Sequence, residues 1–178
     1  MKARTMVFTA VFAALTAVGA FLKIPLGVSS ITLQFLFTAM AGVLLGAKYG
    51  ALSQGVYVLL GLVGLPIFTM GGGLGYVLQP TFGFLLGLIP AAFVIGKLAA
   101  SGGRVRMALA CCAGLAVLYA VGLPYMALIL NGYMGKGLPF AAVMKKGMLP
   151  FLPGDALKIL VTALLCPILR RRVSFGAD

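Results

Sequence analysis

Histidine is absent from this 178-residue chain, and only two residues, Asp155 and Asp178, carry side-chain carboxylates. The first absence removes every Ser-His or Cys-His dyad and any zinc or haem site built on imidazole. The second argues against a pair of carboxylates converging on one substrate, as glycosidases and aspartic proteases require, because Asp178 is the last residue of the sequence. Cys111, Cys112 and Cys166 lie in apolar runs without metal-ligand spacing. They read as small buried hydrophobes, and no metal is expected. Charge is scarce too, at 9% of residues, where a soluble domain carries about a quarter.

What remains is apolar: 62% of residues are hydrophobic and the mean hydropathy is +1.16. A fold of this size has no polar coat to hide that surface from water, and the bilayer is the solvent that accepts it. Each crossing needs roughly 17 to 25 residues, so six crossings and short loops fill the chain. The sequence therefore reads as an all-α membrane protein with one integral membrane domain, residues 1–178. Apolar runs between charged or Gly/Pro-rich breaks place the spans at about 6–22, 31–46, 50–68, 81–100, 107–130 and 153–169. Pro66 is expected to bend or stop the third span and Pro124 to kink the fifth. The first run is longer than the apolar core of a secretory signal and lacks a small-x-small cleavage site, so it reads as a retained span.

Fourteen Lys and Arg give a net charge of +12, which in a soluble protein would suggest nucleic acid. Here the basic residues collect at span ends, and topology explains them; no nucleic-acid partner is expected. Six crossings put Lys2, Arg4, Lys48, Lys97, Arg104, Arg106 and Arg170 to Arg172 on one side. Lys23, Lys136, Lys145 and Lys146 fall on the other. The positive-inside bias then predicts that both termini are cytoplasmic. Lys158 stands apart, inside the sixth span.

Asp155 and Lys158 are three residues apart and share a helix face, which Phe151 and Thr162 extend by a turn either way. Ionisable groups at membrane depth are costly and usually face a cavity. Three readings stay open: an internal ion pair or helix-start Asp that locks the bundle; a proton or ion relay; or a small-molecule site in which Lys158 takes a carboxylate and Asp155 accepts N–H groups. The break from Gly71 to Tyr76, with Gly73 at its centre, is expected to form a flexible lid or re-entrant turn close to a ligand. It lacks the Lys-Ser or Lys-Thr that would make it a phosphate loop. Tyr76, Gln79 and Thr81 follow it, and Ser29 to Gln34 opens the second span with more polar groups. All of these fall on the outer side and together predict a pocket. Small residues recur four apart at Ala10/Ala14, Ala13/Ala17, Gly42/Gly46 and Gly83/Gly87, as close helix packing in lipid requires. The smooth face of the first span, formed by Thr9, Ala10, Ala13, Ala14 and Ala17, also suits a partner protein.

Taken together, Ile31-Thr32-Leu33-Gln34, Gly61 to Phe68, Gly71 to Tyr76, Pro80 to Gly87 and Pro153 to Lys158 resemble the BioY family, over nearly the whole chain. These are the biotin-specific substrate-binding subunits, or S-components, of energy-coupling factor (ECF) transporters. The resemblance implies a six-helix S-component fold in the bacterial cell membrane, capture of biotin from outside, and no cofactor. It also implies a transmembrane coupling subunit and two cytoplasmic ATPases as partners, since this chain has no nucleotide motif. Asp155 and Lys158 match the family's acidic and basic positions in the last helix and are implied to contact the ligand. Ala10 and Ala14 match the small-residue pattern used against the coupling subunit. Where the family has Gly-Pro-Thr-Gly-Gly-Tyr, this chain has Gln79-Pro80-Thr81-Phe82-Gly83-Phe84, so Gln79 is expected to take over one contact. Biotin, with its ureido group, apolar ring and carboxylate, suits one Asp, one Lys, a few neutral polar groups and apolar walls. An S-component for another carboxylate-bearing vitamin and an intramembrane enzyme remain the rival readings.

Overall fold

Helices dominate the computed structural model, as the long apolar runs require. The structure describes residues 3–26, 29–100 and 102–172, and only the backbone of residues 25, 26, 29, 30 and 172. Lys2 and Asp178 lie outside the described residues, as does the side chain of Arg172. In order, the elements are α1 (Ala3–Phe21), a two-stranded antiparallel hairpin of β1 (Lys23–Leu26) and β2 (Ser29–Thr32), α2 (Gln34–Leu62), α3 (Phe82–Leu98), α4 (Arg104–Leu128), α5 (Phe140–Gly147) and α6 (Leu152–Arg172). A short 3-10 turn, Leu74–Leu78, precedes α3, and a wide helical turn, Ile129–Tyr133, follows α4.

The helices turn large apolar side chains outward and bury polar groups within an otherwise apolar core. On α1, Met6, Val7, Val11, Val18 and Phe21 point outward, while Thr5, Thr9 and Thr16 are buried. On α6, Leu157, Leu160, Leu164 and Ile168 face out, while Asp155, Lys158 and Thr162 face in. The buried hydroxyls of Thr9, Thr16, Thr38 and Thr162 each bond the carbonyl four residues back, so none is orphaned away from water. Helices α1, α2, α4 (with the turn after it) and α6 are long and apolar enough to cross a membrane; α3 is a shorter apolar helix.

The length of α2 hides a fold-back. Gly46 inside it has φ 79° and ψ 179°, a conformation that favours glycine. On either side of it Gln34 bonds Tyr57 at 2.8 Å and Thr38 bonds Gln54 at 3.0 Å. A Cβ added to Gly50 would lie 2.8 Å from the Cα of Gly42. These pairings describe two antiparallel arms, 34–45 and 47–62, closed at Gly46. They overlap the two stretches, 31–46 and 50–68, that the sequence reads as separate apolar runs, with exposed Lys48 just past the turn. The second arm stops at Leu62 rather than Phe68; the chain then turns through Gly64 and Pro66. The β1–β2 hairpin and α5 did not figure among the expected spans, because both are too short and too polar at their ends to register as apolar runs.

Consecutive helices pack side by side from α1 to α4, and α6 rests against α2 and α4. The small pair Gly83/Gly87 admits Tyr125 and Leu118 of α4, while Gly122 of α4 admits Phe84 of α3. At one end the Arg170 guanidinium donates to the carbonyls of Ala99 and Val43, and Arg106 to that of Leu98 at 2.9 Å. These are the last carbonyls of α3 and of the first arm of α2, the groups a helix C-terminus leaves unpaired. Lys48, Lys97, Arg104 and Arg171 share that end. Lys23, Lys136, Lys145 and Lys146 lie at the other, where Lys23 Nζ donates to the carbonyl of Thr69.

Candidate functional site

Helix α6 begins at Leu152 with Pro153, which needs no N–H partner in a first turn, and carries Asp155 in that same turn. The helix start favours a negative charge there. Asp155 Oδ1 accepts from Lys158 Nζ at 2.8 Å, and Oδ2 accepts from the Tyr119 hydroxyl of α4 at 2.6 Å. Asp155 and Lys158 are 4% and 7% exposed, so the couple is removed from solvent but internally neutralised. An ammonium has three protons, and Asp155 takes one of them.

This couple opens on a cavity of about 670 Å³, its open mouth included. Thr32, Gln34, Thr69, Tyr76 and Thr81 supply polar groups to its wall, and Phe35, Phe84, Leu85, Leu88, Leu118 and Phe151 supply apolar surface. Of the residues expected from the sequence, Asp155, Lys158, Tyr76, Thr81 and Gln34 are brought together here. Gln79 and Gly73 are not part of the lining. The Gln79 N–H bonds the Tyr76 carbonyl, and the Gly73 N–H bonds the Gly61 carbonyl at 2.7 Å. The glycine-rich stretch is thus a turn pinned to the end of α2, holding the Tyr76 hydroxyl 2.8 Å from Thr69 Oγ1.

Tyr119, Thr69 and most of the aromatic wall were not singled out from the sequence. Tyr119 had a usable signal, since a phenol amid an apolar span must find a partner. Phe84 packs edge-on against the Tyr119 ring, with centroids 6.1 Å apart, and positions that phenol. Ala10 and Ala14 lie on the exposed face of α1, whereas Thr9 and Ala13 are buried against the bundle. Among the described residues no group of three or more Cys, Asp or Glu could hold a metal ion.

The family model described as the BioY family matches residues 1–175. A probable biotin transporter BioY of Lysinibacillus sphaericus is 44% identical over 164 residues, covering 90% of this chain and 84% of the relative. The biotin transporter BioY of Thermotoga maritima is 38% identical over 170 residues, covering 94% of this chain and 96% of the relative. A crystal structure of the S-component for biotin from an ECF-type ABC transporter superimposes with a TM-score of 0.85 at 28% identity, covering 98% of this chain and 94% of that one.

Proposed function

The chain belongs to the BioY family, and from that membership and the pocket's chemistry we propose that it is the biotin-binding S-component of an ECF transporter. It is an integral membrane protein and a transport subunit, not an enzyme; its relatives are transporters. Biotin is captured from the outer face and delivered inward, with a coupling subunit and two cytoplasmic ATPases supplying the energy. The two arms of α2, with α1, α3, α4 and α6, make six crossings of the bacterial plasma membrane, both chain ends being cytoplasmic. The accumulation of Lys48, Lys97, Arg104, Arg106, Arg170 and Arg171 at one end supports that orientation.

The observation that carries the reading is the Tyr119–Asp155–Lys158 cluster set in the wall of an amphipathic cavity. A buried ion pair sealed among helices would only lock the bundle; one that faces a hollow has groups to spare for a guest. Asp155, Lys158, Tyr76, Thr81 and Gln34 contact the ligand, and Gly73 and Gln79 hold the turn that presents Tyr76. The exposed Ala10 and Ala14 form the face that meets the coupling subunit. Uptake of labelled biotin by cells lacking their own transporter, with and without this chain beside a coupling subunit and ATPases, tests the reading. Biotin accumulation that depends on the chain is expected; uptake unaffected by it overturns the proposal.

A further inference from the structure

We infer that Tyr57, which does not line the cavity, is a positioning residue that fixes how the Gln34 amide faces the ligand; the inference rests on the biotin reading above. Tyr57 is fully buried in the second arm of α2. Its hydroxyl accepts from Gln34 Nε2 at 2.8 Å and donates to the Ile67 carbonyl at 3.2 Å. A carbonyl only accepts and a phenol has one proton, so that proton is committed to Ile67 and the phenol oxygen is left to accept. The amino end of the Gln34 amide must therefore turn toward Tyr57. Its Oε1 then points the other way, where Thr32 Oγ1 donates to it at 3.0 Å.

The same logic anchors the backbone beneath. Thr16 and Ser53 spend their protons on the carbonyls of Phe12 and Gly50, so both accept from Gln54 Nε2, at 3.3 and 3.0 Å. Gln54 Oε1 is thereby turned to Thr38, whose single proton is shared between that oxygen at 3.0 Å and the Gln34 carbonyl at 2.9 Å. Acceptor-only backbone groups thus set the direction of the bonds at Thr16, Ser53 and Tyr57. With the Thr32 proton used, that wall offers the second Nε2 proton of Gln34 beside lone pairs of Gln34 Oε1 and Thr32 Oγ1. This pattern matches a ligand group that combines a carbonyl with N–H donors. Without the Tyr57 hydroxyl the amide loses its fixed sense and can present the reversed pattern.

Calorimetric titration of biotin into the detergent-purified chain tests this in a double-mutant cycle. Tyr57→Phe keeps the edge-on ring contact with Phe68 and removes only the hydroxyl. Biotin Kd should rise about 3- to 10-fold in Tyr57→Phe and by a similar factor in Gln34→Met, the size of one hydrogen bond. In the double variant the Tyr57→Phe change should cost no further affinity, because Tyr57 acts only through Gln34. A purely structural effect would instead weaken binding in both backgrounds alike. Unchanged affinity in either single variant, or multiplying losses in the double, overturns the inference alone. Failure of the unaltered protein to bind biotin overturns the functional reading, and this inference with it.

Discussion

Asp155 and Tyr119 meet across two helices, with the phenol donating to Oδ2 at 2.6 Å while Lys158 holds Oδ1. One carboxylate thus carries a neutral donor on one oxygen and a cation on the other, inside a hydrocarbon-facing bundle. That arrangement gives both carboxylate oxygens a partner, and the ammonium balances the carboxylate within the pocket.

Removing the phenol oxygen by Tyr119→Phe leaves Oδ2 without its donor but keeps the ring packed on Phe84. Biotin affinity should fall about 3- to 10-fold, the usual cost of one buried hydrogen bond, with little loss of folded protein. Titration calorimetry reads this directly; an unchanged Kd would remove Tyr119 from the site.

Gly50 packs closely on the first arm of the α2 hairpin, and a larger side chain there meets the backbone of Gly42. Gly50→Leu should lower stability by at least the 1–3 kcal/mol typical of overpacking. The neighbouring Gly55 has open space beyond its Cα, so Gly55→Leu should leave the thermal midpoint nearly unchanged. Thermal unfolding of the two variants side by side checks the contrast; equal midpoints would rule out a close hairpin.

Much of this was legible in the sequence, for reasons specific to lipid. Hydrocarbon penalises every unpaired polar atom, so Asp155 and Lys158 stood out in the sixth span, and the second apolar run was read to end at Gly46, before Lys48. What escaped was of two kinds. The phenols and amides of Tyr119, Tyr57 and Gln54 sit singly in apolar runs, and most of their partners come from another helix, the other arm of α2 or a turn, which no linear spacing reveals. The β1–β2 hairpin is held by its own strand pairing and α5 packs on α4, and both are too short to register as apolar runs. Gln79 and Gly73 were drawn by proximity to the glycine-rich turn, but their backbone bonds hold the turn rather than line the cavity.

Arg170 binds carbonyls at the end of the bundle opposite the pocket. Arg170→Ala should cost about 1.5–3 kcal/mol for lost charged hydrogen bonds while leaving biotin affinity intact. Thermal unfolding and calorimetry on one preparation separate the two effects; a matching fall in affinity would show that the ends are coupled.

Bulky side chains on the exposed α1 face should separate capture from transport. Ala10→Trp and Ala14→Trp are expected to bind biotin normally yet fail to support uptake in cells that carry the ATPases. Uptake at the unaltered rate would show that the coupling subunit docks elsewhere.

The most direct test is biotin titration of the purified chain alongside Asp155→Asn and Lys158→Ala. The unaltered protein should bind tightly, and each variant should lose tenfold or more, since truncating one member of a buried charge pair costs about 2–5 kcal/mol. Equal affinity in all three proteins would contradict a ligand site built on this ion pair.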